Sequence, residues 1–299
     1  MDKRQKFAEL MQRPGVVVVP GTYDALTARI AEQAGFEAIF ATGAGISNAH
    51  LGLGDVGLLT VDELLRIIKP MCERTNIPLI VDIDTGFGGY LNVQRTIREL
   101  EHAGAAGVQL EDQMFPKRCG HFRGKRMASI GEMVGRLSAA VDARKDPRML
   151  IIGRTDARAS EGLEAAIDRV HRYFEAGADI GFVEAPQTVE EVRTVADAFK
   201  GKPMLLNLVE GGKTPLFSSA ELDKMGFKLM LCANTALRSA IRAVGQAMAA
   251  LKKEGTQTGS VQGMICTWQE RQSIVESESL MDLEIHYDQI ALEADKRKC

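Results

Sequence analysis

A chain of 299 residues, 45% hydrophobic and 26% charged, has the make-up of a globular protein and is long enough for one large α/β domain. Its net charge of −3 gives no general attraction to nucleic acid or an anionic membrane, and no unbroken apolar run approaches the ~18 residues of a membrane span. The charged amino-terminal stretch MDKRQKFAELMQRPG lacks the apolar core of a signal peptide. The five scattered cysteines form no CxxC pair, which excludes a disulfide framework or zinc knuckle and makes the cytoplasm the expected compartment.

In chain order the apolar runs are VVVVP (16–20), AIFATG (38–43), PLIVDID (78–84), GVQLED (107–112), LIIGRTD (150–156), IGFVEA (180–185), MLLNLVE (204–210) and KLMLCAN (228–234). Their length and apolar character predict buried parallel strands. Helical segments lie between most of them, among them DALTARIAEQ, LNVQRTIRELEHA and EAAIDRVHRYFEA. The stretches AEQAGFEAIFATG, LEHAGAAGVQLED and FEAGADIGFVEAP repeat one pattern of helix, Ala-Gly and apolar run. In that pattern Gly35, Gly104 and Gly177 suit the left-handed position that stops a helix. Eight strands alternating with helices predict a (β/α)8 TIM-type barrel as a single domain, 1–299. A doubly wound open sheet has the same alternation, because periodicity does not show closure. From about residue 255 to 299 the chain reads as extra C-terminal helices, which would pack outside the barrel or on another subunit.

The predicted strands end in Tyr23, Thr42-Gly43, Asp82 and Asp84, Glu111-Asp112, Arg154 and Asp156, Glu184, Asn207 and Glu210, and Asn234-Thr235. In a barrel these ends share the face that carries active sites. Asp82 and Asp84 are two residues apart, so on a strand they point to the same side. With Glu111 and Glu184 they bring several carboxylates together. At an effective dielectric near 20, two like charges ~4 Å apart repel by about 4 kcal/mol, so the cluster needs protons or a cation. All-oxygen donors favour Mg2+ or Mn2+ over zinc. Pairing of some acids with Arg154 and nearby lysines is the bland alternative.

The loop FPKRCGHFRGKR (115–126) follows the fourth strand over the same face. Gly120 and Gly124 suit a mobile lid, and the cationic neighbours would lower the pKa of Cys119 so that it exchanges a proton near pH 7. A solvated basic loop with an incidental thiol is the competing reading. Zinc at Cys119 and His121 lacks a second ligand pair, and His102 and His171 fall within helices as surface residues.

The segments PGTYDALTARIAEQAGF, VDIDTGFGG, LEDQMFPKRCGH, GRTDA, FVEAP and NLVEGGKTP span nearly the whole chain in this order. Together they resemble the isocitrate lyase and phosphoenolpyruvate mutase superfamily, and the KRCGH loop resembles its carbon–carbon lyase branch. The resemblance implies a Mg2+ enzyme, with Mn2+ able to substitute. Such an enzyme cleaves the C2–C3 bond of a 2-hydroxy dicarboxylate, giving a 2-oxo acid such as pyruvate and a carboxylic acid. The substrate would be an alkylmalate such as 2,3-dimethylmalate, or 2-methylisocitrate. Asp84 would be the direct metal ligand, with Asp82, Asp55, Glu111 and Glu184 around its water shell. Thr42, Gly43, Ala44 and Arg154 would hold the substrate's α-carboxylate, with Asn207, Gly120, His121, Glu184 and Thr235 as further substrate contacts. Cys119 would be the general acid, and Tyr23 or Glu111 the base.

Relatives exchange a terminal helix between barrels, which implies a helix-swapped homotetramer, a dimer of dimers. The same superfamily holds P–C bond chemistry of the carboxyphosphonoenolpyruvate phosphonomutase type and oxaloacetate hydrolysis, and a non-catalytic oxo-acid-binding protein is a further alternative. Two departures bear on the substrate. FRGK follows CGH, as in alkylmalate-cleaving members, where 2-methylisocitrate-cleaving members have RPNK. The last strand reads LCANTAL in place of a YPLS-like run. Both point away from a strict tricarboxylate enzyme. Arg123, Lys125 and Lys213, near the presumed mouth, are the groups that could partner a third carboxylate.

Overall fold

All eight expected strands form, and each ends at, just before or, for the fifth, between the polar residues expected at its carboxyl end. The computed structural model describes residues 2–118 and 124–296. The chain divides into two compact units, Met1–Ser239 and Ala240–Cys299.

The first unit runs α1 (Lys3–Gln12), β1 (Val17–Thr22), α2 (Ala25–Gln33), β2 (Ile39–Ala41), α3 (Gly43–Ile46), α4 (Val61–Arg74), β3 (Leu79–Asp82), α5 (Tyr90–Ala103) and β4 (Gly107–Glu111). It continues with α6 (Ile130–Ala143), β5 (Leu150–Thr155), α7 (Leu163–Glu175), β6 (Ile180–Val183), α8 (Val189–Ala198), β7 (Met204–Asn207), α9 (Ser219–Met225) and β8 (Leu229–Cys232). The strands pair in parallel from β1 to β8, and β8 returns to β1 through Val17–Leu229 and Val19–Leu231, so the sheet is a closed barrel. Capping boxes start α2 (Asp24 and Thr27), α4 (Thr60 and Glu63) and α9 (Ser218 and Glu221). Gly104, where α5 stops, has φ 98°, a value that favours glycine, as the sequence pattern required.

Side-chain alternation sorts the strands into two cores. Val17, Val19, Phe40, Ile80, Ile152, Ile180, Phe182, Leu205, Leu229 and Leu231 fill the barrel. Their neighbours Ile39, Leu79, Val81, Val108, Leu110, Ile151, Val183 and Leu206 pack outward with the helices. Fully buried Phe7 of α1 joins the inner cluster and plugs the amino-terminal mouth. Gly21 allows β1 to approach β8, since a Cβ there would lie 2.0 Å from the carbonyl oxygen of Ala233.

The same two-residue period carries the inner positions on to the carboxyl end. Thr42 continues Phe40, Asp82 continues Ile80, Arg154 continues Ile152, Glu184 continues Phe182 and Asn207 continues Leu205. On β4, Gln109 and Glu111 alternate with the outward Val108 and Leu110. The polar site is therefore the top of the barrel's own interior.

The second unit contains most of α10 (Thr235–Glu254), followed by α11 (Trp268–Ile274) and α12 (Ser277–Lys296). No residue of α11 or α12 is buried, although α12 carries Leu280, Met281, Leu283, Ile285, Ile290 and Leu292. Among the described residues no helix is long and apolar enough to cross a membrane.

Candidate active site

Strand register sets the site's neighbours. Asp82 is the register partner of Gln109, and Glu111 that of Arg154. One pocket is lined by Phe40, Thr42, Ala44, Asp55, Asp82, Gln109, Glu111, Lys117, Arg118, Arg154, Glu184, Asn207, Leu231, Ala233 and Asn234. These residues enclose about 40 Å³. That holds a few waters and falls far short of the several hundred Å³ of a ligand pocket.

Asp82 is held from three sides. Its Oδ1 accepts the Asp84 N–H and the Gln109 amide, each at 3.2 Å, and its Oδ2 accepts the Gly43 N–H at 3.4 Å. A side chain at residue 43 would press on that carboxylate, since a Cβ there would meet Asp82 Oδ2 at 3.0 Å. Asp84 has φ 49°, left-handed backbone for a non-glycine residue, which costs about 1–3 kcal/mol and persists where surrounding structure imposes it. Burial pushes the Asp84 pKa up to about 7, against the pull of Lys117. Burial likewise raises Glu111 well above the usual carboxylate range, against the pull of Arg154.

Two cations balance the cluster. The Lys117 ammonium lies 2.5 Å from Asp55 Oδ1 and 2.6 Å from Asp84 Oδ1. Burial alone would lower its pKa, but Asp84, Glu111 and Asp55 hold it well above the ordinary lysine value. Arg154 spans the other side, with Asp156 at 2.9 Å, Glu111 at 3.4 Å and Glu184 at 3.3 Å, and its guanidinium stands 5.2 Å from the centre of the Phe182 ring. Lys125 also binds Asp156, at 2.6 Å. Together Arg154 and Lys125 draw Asp156 down to about 2, although its burial acts in the opposite direction.

The expected site residues are thus largely gathered. Asp55, Asp82, Glu111, Thr42, Ala44, Arg154, Glu184 and Asn207 line the pocket, and Asp84 and Gly43 touch its walls through Lys117 and Asp82. The Gly43 N–H, expected at a substrate carboxylate, is directed to Asp82, and the Gly45 N–H to Thr42 Oγ1. Tyr23 and Thr235 are not among the lining residues. Tyr23 lies beside Gly45, and the Thr235 hydroxyl donates to Glu210 at 2.6 Å. Lys125, expected near the mouth, has its ammonium buried against Asp156. Asp112, read together with Glu111, has the opposite parity and binds Tyr173, Thr155 and Arg169 on the outer side of β4. Cys119, Gly120, His121 and Arg123 lie outside the described residues. Lys117 and Gln109 were missed. Gln109 was legible from its spacing of two from Glu111, whereas nothing local distinguished Lys117 from the other loop cations.

Donor chemistry fits a hard divalent cation. The donors are oxygens, the carboxylates outnumber the cations among the described residues, and an ammonium already occupies the acids as a cation. Glu111 Oε1, Gln109 Oε1 and Asn207 Oδ1 are buried without a hydrogen-bond partner. Among the described residues no three His, Cys, Asp or Glu side chains form a ready-made ligand set.

Residues 7–252 match the family model described as phosphoenolpyruvate phosphomutase. The chain belongs to the phosphoenolpyruvate phosphomutase family. Within it, the chain is 41% identical to the 2,3-dimethylmalate lyase of Eubacterium barkeri, over 96% of this chain and 99% of that one. It is 42% identical to the 2-methylisocitrate lyase of Halalkalibacterium halodurans, over 93% of this chain and 90% of the relative. Among solved structures, an oxaloacetate acetylhydrolase in complex with the inhibitor 3,3-difluorooxalacetate superposes with a TM-score of 0.91 at 32% identity. The match covers 96% of this chain and 97% of that one. The (β/α)8 barrel and the superfamily expected from the sequence are both borne out.

Proposed function

We propose that this family member is a carbon–carbon lyase that cleaves the C2–C3 bond of a 2-hydroxy dicarboxylate. The observation that carries the reading is Arg154, buried yet pocket-lining, facing a cluster of acids at the barrel's carboxyl end. One wall offers a guanidinium to a substrate carboxylate, and the other offers carboxylates to a cation. Asp84 would hold Mg2+, with Asp82, Asp55 and Glu111 around it and Mn2+ as a substitute. When bound, the ion supplies charge stabilisation to the substrate's hydroxyl and carboxylate oxygens.

The chain's own residues do the rest. Arg154, fixed by Asp156, holds a carboxylate with Thr42 and Ala44, while Asn207 and Glu184 line the side where the leaving fragment departs. The hydroxyl proton passes to Tyr23 or Glu111. The C2–C3 electron pair moves to C3, leaving a 2-oxo acid, and the Cys119 thiol delivers its proton to C3. Gly120 and His121 would add further substrate contacts. Thr235 would support the rim through Glu210.

The substrate we favour is 2,3-dimethylmalate or a related alkylmalate, over 2-methylisocitrate. Support comes from the FRGK and LCANTAL sequences and from Lys125, whose charge is committed to Asp156. Oxaloacetate hydrolysis is the second reading, favoured by the closeness of the barrel to an oxaloacetate acetylhydrolase. The test is incubation with alkylmalates, 2-methylisocitrate, isocitrate, oxaloacetate and a phosphonate. Release of 2-oxo acid supports cleavage, oxalate with acetate supports hydrolysis, and phosphate release supports P–C chemistry. The outward apolar residues of α12 support exchange of that helix between subunits of a homotetramer. The free thiols of Cys72, Cys232 and Cys266 support a reducing, cytoplasmic setting.

A further inference from the structure

A buried carboxylate that the reaction outlined above does not use stands directly behind the site. Asp112 is fully buried and follows Glu111 at the end of β4, on the face turned away from the pocket. Among the described residues, four groups donate to it. Its Oδ2 accepts the Thr155 and Tyr173 hydroxyls, each at 2.6 Å, and Arg169 Nη1 at 3.2 Å, and its Oδ1 accepts the Asp156 N–H at 2.9 Å. An ionised carboxylate takes all four without presenting a donor of its own, which an amide of the same shape does not.

Two of these donors are the residues that follow Arg154 on β5. Parallel pairing of β4 with β5 ends at Glu111 and Arg154, and β5 itself ends at Thr155. Asp156, with φ −100° and ψ 5°, has already left the extended conformation, and its N–H bonds to the Asp112 side chain. Alternation then divides the work. The outward Thr155 hydroxyl and the Asp156 backbone are held by Asp112, while the inward Asp156 carboxylate receives Arg154 Nε at 2.9 Å and Nη2 at 3.2 Å. The other two donors, Tyr173 and Arg169, belong to α7, and Glu161 holds Arg169 through Nε and Nη2, both at 2.9 Å. Asp112 therefore ties the packed face of α7 to the turn that carries the partner of Arg154.

We infer that Asp112 is a positioning residue for the reaction: through Thr155 and Asp156 it sets where the Arg154 guanidinium stands against Glu111 and Glu184. The inference rests on the reading of Arg154 as the group that holds a substrate carboxylate. A misplacement of about 1 Å at such a group can cost about 10²-fold in rate.

Two measurements on the full chain test this, with Asp112→Asn, Thr155→Val and Thr155→Ser. The first needs no substrate: phenylglyoxal labelling of arginines, read by peptide mass spectrometry. Arg136 is the internal reference, because it is buried at the same end of β4 but binds the Glu111 and Gln113 carbonyls. Arg154 should label at least tenfold faster in Asp112→Asn and Thr155→Val than in wild type, with Arg136 unchanged. The second is kcat/KM on whichever 2-hydroxy acid wild type cleaves. It should fall by about 10²-fold in Asp112→Asn and Thr155→Val. Thr155→Ser, which keeps the hydroxyl, should recover most of what Thr155→Val loses. A purely structural Asp112 would lower the urea midpoint while leaving the Arg154 to Arg136 labelling ratio and the kcat/KM of the folded variants as in wild type, and either unchanged value overturns the inference. If Asp112→Asn does not fold, Thr155→Val carries both measurements. If wild type cleaves no acid of the panel, the lyase reading fails, and the labelling still decides whether Asp112 holds Arg154.

Discussion

Asp156→Asn isolates the charge that fixes the substrate-facing arginine. The wild-type carboxylate is fully buried and receives Arg154 Nε at 2.9 Å, Arg154 Nη2 at 3.2 Å and Lys125 Nζ at 2.6 Å. Breaking a buried ion pair from one side typically costs about 3–5 kcal/mol, because the remaining charge stays buried. The pKa gives a figure of the same order. A fall from 3.8 to about 2 corresponds to about 2–3 kcal/mol. Since the folded-state value is depressed, this stability is present above pH 3.8 and is lost as pH falls towards about 2. Urea unfolding at pH 7 should therefore show Asp156→Asn less stable by roughly 2–5 kcal/mol. Repeated at lower pH, the gap between variant and wild type should narrow once the pH drops below about 4. An unchanged urea midpoint at pH 7 would refute the reasoning.

Four further outcomes are expected. Chelation should abolish turnover and Mg2+ or Mn2+ restore it, and Asp84→Ala should lose metal affinity and activity together in parallel calorimetric and kinetic titrations. Cys119→Ala should keep the circular dichroism of the fold while turnover falls by roughly 10²–10⁴, the usual worth of a positioned acid. Cys72, whose thiol burial raises to about 11, should resist iodoacetamide at pH 8 while exposed Cys266 reacts, as read by peptide mass spectrometry. Light scattering should report a tetramer, and truncation before Ser277, which removes α12, should shift it to a smaller species.

Much of this architecture was legible because a barrel repeats one local rule. Short apolar runs gave the strands, Gly35, Gly104 and Gly177 gave the helix stops, and the carboxyl ends of the expected barrel strands gave Asp82, Glu111, Arg154, Glu184 and Asn207 as one polar face. The two-residue period, carried through, separates Glu111 from Asp112, which turns outward to Tyr173. Closure of the sheet was not legible, since it depends on β8 meeting β1 across more than two hundred residues. Nor was the fate of the loop cations. Lys117 and Lys125 sit in a run of like residues, and only the folded loop commits them to Asp55, Asp84 and Asp156.

The central claim is cleavage of a carbon–carbon bond in a 2-hydroxy dicarboxylate, and proton NMR of the purified protein with 2,3-dimethylmalate and Mg2+ in D2O tests it most directly. Pyruvate and propionate should appear in equal amounts, with one deuterium carried into the propionate at the carbon that Cys119 protonates, and chelator should stop both. No 2-oxo acid from 2,3-dimethylmalate, any other alkylmalate or 2-methylisocitrate, under conditions where Mg2+ binds, would contradict the account.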